Sequence, residues 1–170
     1  MAETFVITQG QHKVSGDSGA SISTLLGSCV AGCLWDATAG VGGMNHILLA
    51  TRVQKSLDDG NMAGVNAMEL MINEMLKLGA SRSRLQAKVF GGAQMIKGLS
   101  DIGPANCEFV LKYLECESIP CISQSLGGTM ARHIVFTPAT GGVRMKAQRT
   151  VVEEPVAAPA APVGNELELF

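Results

Sequence analysis

Within the stretch LLGSCVAGCLWDATAGVGGMNHILL, two residues have side chains that can do covalent chemistry together, Cys29 and His46. A thiol needs a lowered pKa or a nearby base, because a free cysteine with pKa ~8.5 is mostly protonated at neutral pH. An imidazole can take that proton and later return it to a leaving group. A third polar group on the other ring nitrogen should fix its tautomer and orientation. Ser23 or Thr24, just upstream of Cys29, each offers a hydroxyl for that purpose. Gly27 and Ser28 place backbone N–H groups beside the sulfur, where a developing oxyanion would need donors. Together with Asn45, next to His46, they are the candidate substrate contacts. A zinc centre is the competing use of Cys29, Cys33 and His46, with Cys116 and Cys121 as further ligands. The tight CxxC knuckles of structural zinc are missing, so neither metal nor cofactor is expected.

The elements that must bring the pair together read as strands. Val30 to Trp35 is short and apolar, as in a strand buried on both faces. DATAG is turn chemistry, and Val41 to Leu49 returns as the partner. If Asp36 pairs with Val41, Ala31 falls opposite His46 and Cys29 lies one diagonal away on the same face. Such neighbours are ~7–8 Å apart at Cα, within reach of an imidazole. A slip of one residue would put the two side chains on opposite faces.

Around this hairpin, Phe5 to Thr8 and Ile22 to Leu26 read as strands, and QGQHKVSGDSGA between them reads as a loop with a solvated His12. Asp58 or Asp59 can cap a helix to about Leu78. It carries Val65, Met68, Ile72, Met75 and Leu76 at helical spacing, with Gly79 as its stop. Its methionines, including Met62 and Met71, are expected to pack in a core. Leu85 to Phe90 is a strand ending in Gly91-Gly92, where close backbone approach is expected. GGAQMIKG lacks the Walker spacing of a phosphate loop. Pro104 suits the first turn of a helix to about Glu115. Ile119 to Leu126, Arg132 to Phe136 and Val143 to Gln148 complete an α+β pattern.

The 170 residues are 46% hydrophobic and 16% charged with net charge −2, which suits one globular domain over residues 1–150 and argues against a nucleic-acid partner. MAETFVITQGQHKV carries an acidic residue at position 3, so no secretory signal is expected. No apolar run reaches the ~18–20 residues of a membrane span. Five cysteines cannot all pair, and reduced thiols in the cytoplasm are expected. From Val151 to Phe170 the chain becomes a Pro/Ala-rich flexible tail ending in NELELF, an acidic-apolar peptide that either frays or docks on a receptor, a partner or another copy of this protein.

LGSCVAGCLWD, GVGGMNHILL, GVNAMELMINEMLKLGA, AKVFGGAQM, IGPAN, SLGG and VFTPATGGV occur in this order, and together they resemble the CheD family of chemoreceptor glutamine deamidases over roughly residues 5 to 146. The resemblance implies a cysteine hydrolase that converts receptor glutamine side chains to glutamate, with Cys29 as nucleophile and His46 as base. It implies a fold similar to the catalytic domain of the cytotoxic necrotizing factor toxins, with β-sheets layered like a sandwich against helices. The family's third residue is a Thr six positions before the Cys. Ser23 holds that position here, with Thr24 beside it. Chemoreceptor cytoplasmic helices and a CheC-type phosphatase are the implied partners. A non-enzymatic chemotaxis adaptor is the alternative reading.

Overall fold

A computed structural model describes residues 2–49, 57–94, 102–148 and 167–170. The chain runs β1 (Glu3–Val6), β2 (His12–Ser15), β3 (Ala20–Leu26), β4 (Val30–Asp36), β5 (Val41–Asn45), α1 (Leu57–Lys77), a short 3-10 turn (Arg82–Arg84), β6 (Gln86–Gly91), α2 (Ile102–Cys116), β7 (Cys121–Leu126), β8 (Ala131–Thr137), β9 (Gly142–Gln148) and β10 (Leu167–Leu169). The strands form two five-stranded sheets, ordered β1-β3-β8-β9-β10 and β2-β5-β4-β6-β7.

Three layers result: sheet, sheet, helices. Ile22, Leu26, Ile134, Phe136 and Met145 of the first sheet meet Ala31, Cys33, Trp35, Met44 and Phe90 of the second. The opposite face of the second sheet, with Val14, Leu34, Ala87 and Val89, packs on Met68, Met71, Ile72 and Met75 of α1 and on Val110 and Leu114 of α2. β4 lies in the middle layer, and all seven of its residues are buried. That explains its unbroken apolar reading, since a strand covered on both faces has no polar side to alternate with.

The hairpin register is the expected one, with Asp36 opposite Val41 and Cys33 opposite Met44. β5 leaves regular pairing after Asn45, earlier than Leu49, and Val30–Ile47 continues the same register as an isolated bridge. HKVS, read as loop, is instead edge strand β2, antiparallel to β5. It escaped notice because a four-residue edge strand with one buried apolar residue, Val14, carries little periodicity. His12 lies on this strand with Nε2 3.1 Å from Glu74 Oε1, so it is not simply solvated. In α1 the core stripe is Met68, Met71, Ile72 and Met75, whereas Met62, Val65 and Leu76 face outward. Asp58 and Asp59 lie in the helix, and the residues just before it fall outside the described ones. Gly79 follows the helix end in the left-handed region, at φ 107°.

The C-terminal peptide neither frays nor turns to another molecule: it docks on the protein's own first sheet. β10 pairs antiparallel to β9. The Phe170 ring meets Phe90 edge-on at 5.4 Å. Its main-chain oxygen accepts from Lys88 Nζ at 2.8 Å. Lys88 is itself buried between the sheets, over the Trp35 ring, and burial holds its ammonium below the ordinary lysine range.

Candidate active site

The site lies where β4 and β5 part. Cys29 immediately precedes β4 and belongs to the core layer between the sheets, as do Ala31, Cys33 and Met44. The register that sets Cys33 against Met44 and Val30 against Ile47 sets His46 against Ala31. His46 therefore projects from the same face as Cys29, toward the first sheet. Both are nearly closed to solvent, at 9% and 7% exposure. Burial pushes the Cys29 thiol up to about 11 and lowers the His46 imidazole from its usual value. Both shifts favour the neutral forms, a thiol and an imidazole.

Of the two candidate hydroxyls, Thr24 touches His46. Its Oγ1 lies 2.7 Å from His46 Nδ1 and donates to the Ile7 carbonyl at 2.8 Å. A hydroxyl has one proton. With that proton on Ile7, Thr24 accepts from Nδ1–H, and the lone pair of the neutral ring falls on Nε2. Ser23 projects from the opposite face of β3, and its Oγ lies 2.9 Å from His133 Nε2. The backbone of His46 is held as well, its N–H donating to Gln11 O and its carbonyl accepting from Gly10 N–H.

Three consecutive carbonyls before β4 are each gripped. Gly27 O accepts from Ala93 N–H and Cys29 O from Gly92 N–H, while Ser28 O accepts from Asn106 Nδ2 at 2.9 Å. In a planar trans peptide the N–H points away from the C=O. The N–H groups of Ser28 and Cys29 therefore point away from Ala93 and Asn106. The Gly91-Gly92 turn makes this grip feasible by close approach. A Cβ on Gly91 would overlap Cys29 O, and one on Gly92 would overlap Cys107 Sγ.

Asn45, a predicted substrate contact, is not brought to this face. Its Oδ1 accepts from Gly32 N–H at 2.9 Å and its Nδ2 lies 3.0 Å from Met68 Sδ, on the α1 side of the sheet. Asn45 and His46 border a cleft of about 300 Å3 running from Gln9 and Gln11 to Ala63, Gly64 and Ala67 of α1; Cys29 is not part of its lining. Asn106, fully buried on α2, also reaches the segment that carries Cys29. A signal was present: Asn106 shares a helix face with Val110, Tyr113 and Leu114, an apolar stripe on which a polar residue calls for a partner.

A solved structure from Neisseria meningitidis, a protein of the DUF152 family, superposes with a TM-score of 0.52 at 10% identity, covering 81% of this chain and 76% of that one. It shares the fold alone. A family model described as CheD chemotactic sensory transduction matches residues 48–147. The Agrobacterium fabrum protein named "Probable chemoreceptor glutamine deamidase CheD" is 46% identical over 172 residues, spanning 96% of this chain and 94% of its own. A Caulobacter vibrioides protein of the same name is 47% identical over 141 residues, spanning 82% and 75%. With near-full-length identity of this order and a family model matching more than half of its residues, the chain belongs to the CheD family.

Proposed function

We propose that this protein deamidates glutamine side chains of chemoreceptors, with Cys29 as nucleophile, His46 as general acid and base, and Thr24 as the residue that holds His46. The observation that carries the reading is the shared face of Cys29 and His46 together with the Thr24–His46 contact of 2.7 Å. The relatives' names supply the substrate class.

In this reading Cys29 Sγ attacks the carboxamide carbon while its proton passes to His46 Nε2. The N–H groups of Ser28 and Cys29 receive the oxyanion. Collapse breaks the C–N bond, and ammonia leaves with the proton from His46. Water then attacks the thioester, giving its proton to Nε2. The C–S bond breaks, the thiol regains that proton, and glutamate remains. A buried neutral thiol suits this sequence, because the proton moves only as the electrophile arrives.

Residues 1–150 act as the deamidase domain and residues 151–170 as a tail whose last residues, 167–170, dock on the first sheet of that domain. The substrates are the cytoplasmic helices of receptors, which places the protein in the cytoplasm. A CheC-type phosphatase is a second partner within the same reading, checked by pull-down. The central experiment incubates wild type and Cys29→Ala with a receptor cytoplasmic fragment, measuring ammonia and the one-dalton gain per converted glutamine. Wild type should produce both and the variant neither; ammonia from Cys29→Ala at the wild-type rate would overturn the assignment.

A further inference from the structure

The β4–β5 ladder stops at a definite rung, and a side chain occupies the next one. Val30 and Ile47 exchange both backbone hydrogen bonds, N–H to O at 3.0 and 2.8 Å. In an antiparallel pair the next such exchange falls two residues further on, at Ser28 opposite Leu49. There the direct bond is replaced. Leu49 N–H donates to Asn106 Oδ1 at 2.9 Å, and Asn106 Nδ2 donates to Ser28 O at 2.9 Å. The carboxamide is thus spliced between two backbone groups that would otherwise bond to each other. The strands are separated there by the width of an amide. Cys29 and Leu48 form the intervening pair, so the widening begins beside the thiol.

We infer that Asn106 is a positioning residue of the deamidation site, holding the two strand ends apart and fixing Cys29 relative to His46 by inserting its carboxamide into the ladder. The inference rests on the Cys29/His46 reading given above. The position of Asn106 follows from α2 seating its first turn directly on the turn after β6. Gly103 meets the carbonyls of Gly92 and Ala93 so closely that a Cβ there would lie 2.5 and 2.7 Å from their oxygens. A residue at 106 must donate at one end and accept at the other. Aspartate accepts from Leu49 but sets a second oxygen against Ser28 O. Alanine offers neither, and the free N–H and C=O can then close on each other. Asn106 is fully buried, so it acts through its neighbours and has no contact with solvent.

The test is Asn106→Ala and Asn106→Asp alongside Cys29→Ala, assayed for ammonia release from a receptor cytoplasmic fragment. For both Asn106 variants kcat should fall tenfold or more while KM changes less than threefold, since displacing a reacting group by about 1 Å can cost 10²-fold in rate. Alkylation of Cys29 by iodoacetamide at pH 7 should slow in both variants, read by mass spectrometry of the Cys29 peptide. A merely structural residue would lower thermal stability and leave kcat and alkylation of the folded enzyme unchanged. Folded variants with wild-type kcat beside an inactive Cys29→Ala would overturn this inference alone. An active Cys29→Ala would overturn the parent reading. Wild-type NMR needs no variant: the Asn106 side-chain N–H protons should exchange slowly, and rapid exchange would overturn the splice.

Discussion

Thr24 Oγ1 stands 2.7 Å from His46 Nδ1 and spends its only proton on the Ile7 carbonyl. The contact crosses from one sheet to the other, so a main-chain oxygen on the β1 side sets the tautomer of a ring on the β5 side. Thr24→Val keeps the shape, removes the acceptor and leaves Nδ1–H and Ile7 O without it. Its kcat should fall at least tenfold, with Thr24→Ser restoring much of the loss. Ser23→Ala severs only the contact with His133 and should retain wild-type kcat. Steady-state ammonia release decides the case, and the reverse pattern would move the role to Ser23.

The neutral resting pair sets the pH dependence. His46 is lowered from 6.5 by burial, so kcat/KM should hold down to pH 6.5 and fall only below it, as Nε2 takes a proton. Stability follows the same sign. The unfolded chain protonates this imidazole near 6.5 while the folded one resists, so stability declines as pH drops below that value. At the alkaline end burial raises the folded Cys29 thiol above its unfolded value, to about 11, so stability falls as pH rises toward that value. Exposed Cys116 should therefore alkylate faster than Cys29 at pH 7. Faster alkylation of Cys29 would contradict a neutral resting thiol.

Asp36 at the turn of the hairpin is fully buried, while its partner Arg84 is partly exposed. Burial opposes its charge, yet bonds from the Arg84 guanidinium and the Ser81 and Ala39 N–H groups bring it down to about 2. Its stabilising effect is present above the usual 3.8 and is lost as pH falls through about 2. Asp36→Ala would leave those donors unpaired and cost about 3 kcal/mol. At about 2–4 °C per kcal/mol for a chain of this size, Tm should drop by about 6–12 °C. Calorimetry at pH 7 checks this, and a shift under 1 °C would contradict it.

Much of the site was legible because its signals are local. The hairpin DATAG, the register from Asp36–Val41 and the face shared by Cys29 and His46 all follow from turn chemistry and a period of two. The choice between Ser23 and Thr24 was not legible. Adjacent strand residues point to opposite faces, and which face meets His46 depends on how the sheets stack. Asn45 misled because proximity to His46 in sequence means opposition across a strand. Asn106 joins the site across 78 residues to Ser28, a distance that local pattern does not span.

The docked peptide has a consequence for self-association. Without Leu167–Leu169, β9 would offer the open rim of the first sheet, a row of unpaired amides and carbonyls ready to template a stray strand. The chain supplies its own occupant through a covalent tether, so filling that rim is a unimolecular event, as effective in a dilute solution as in a crowded one. A strand arriving from another molecule must displace β10, lift Phe170 from Phe90 and strip Lys88 of an acceptor. Residues 167–170 thus cover an edge of the first sheet that would otherwise lie open to another strand.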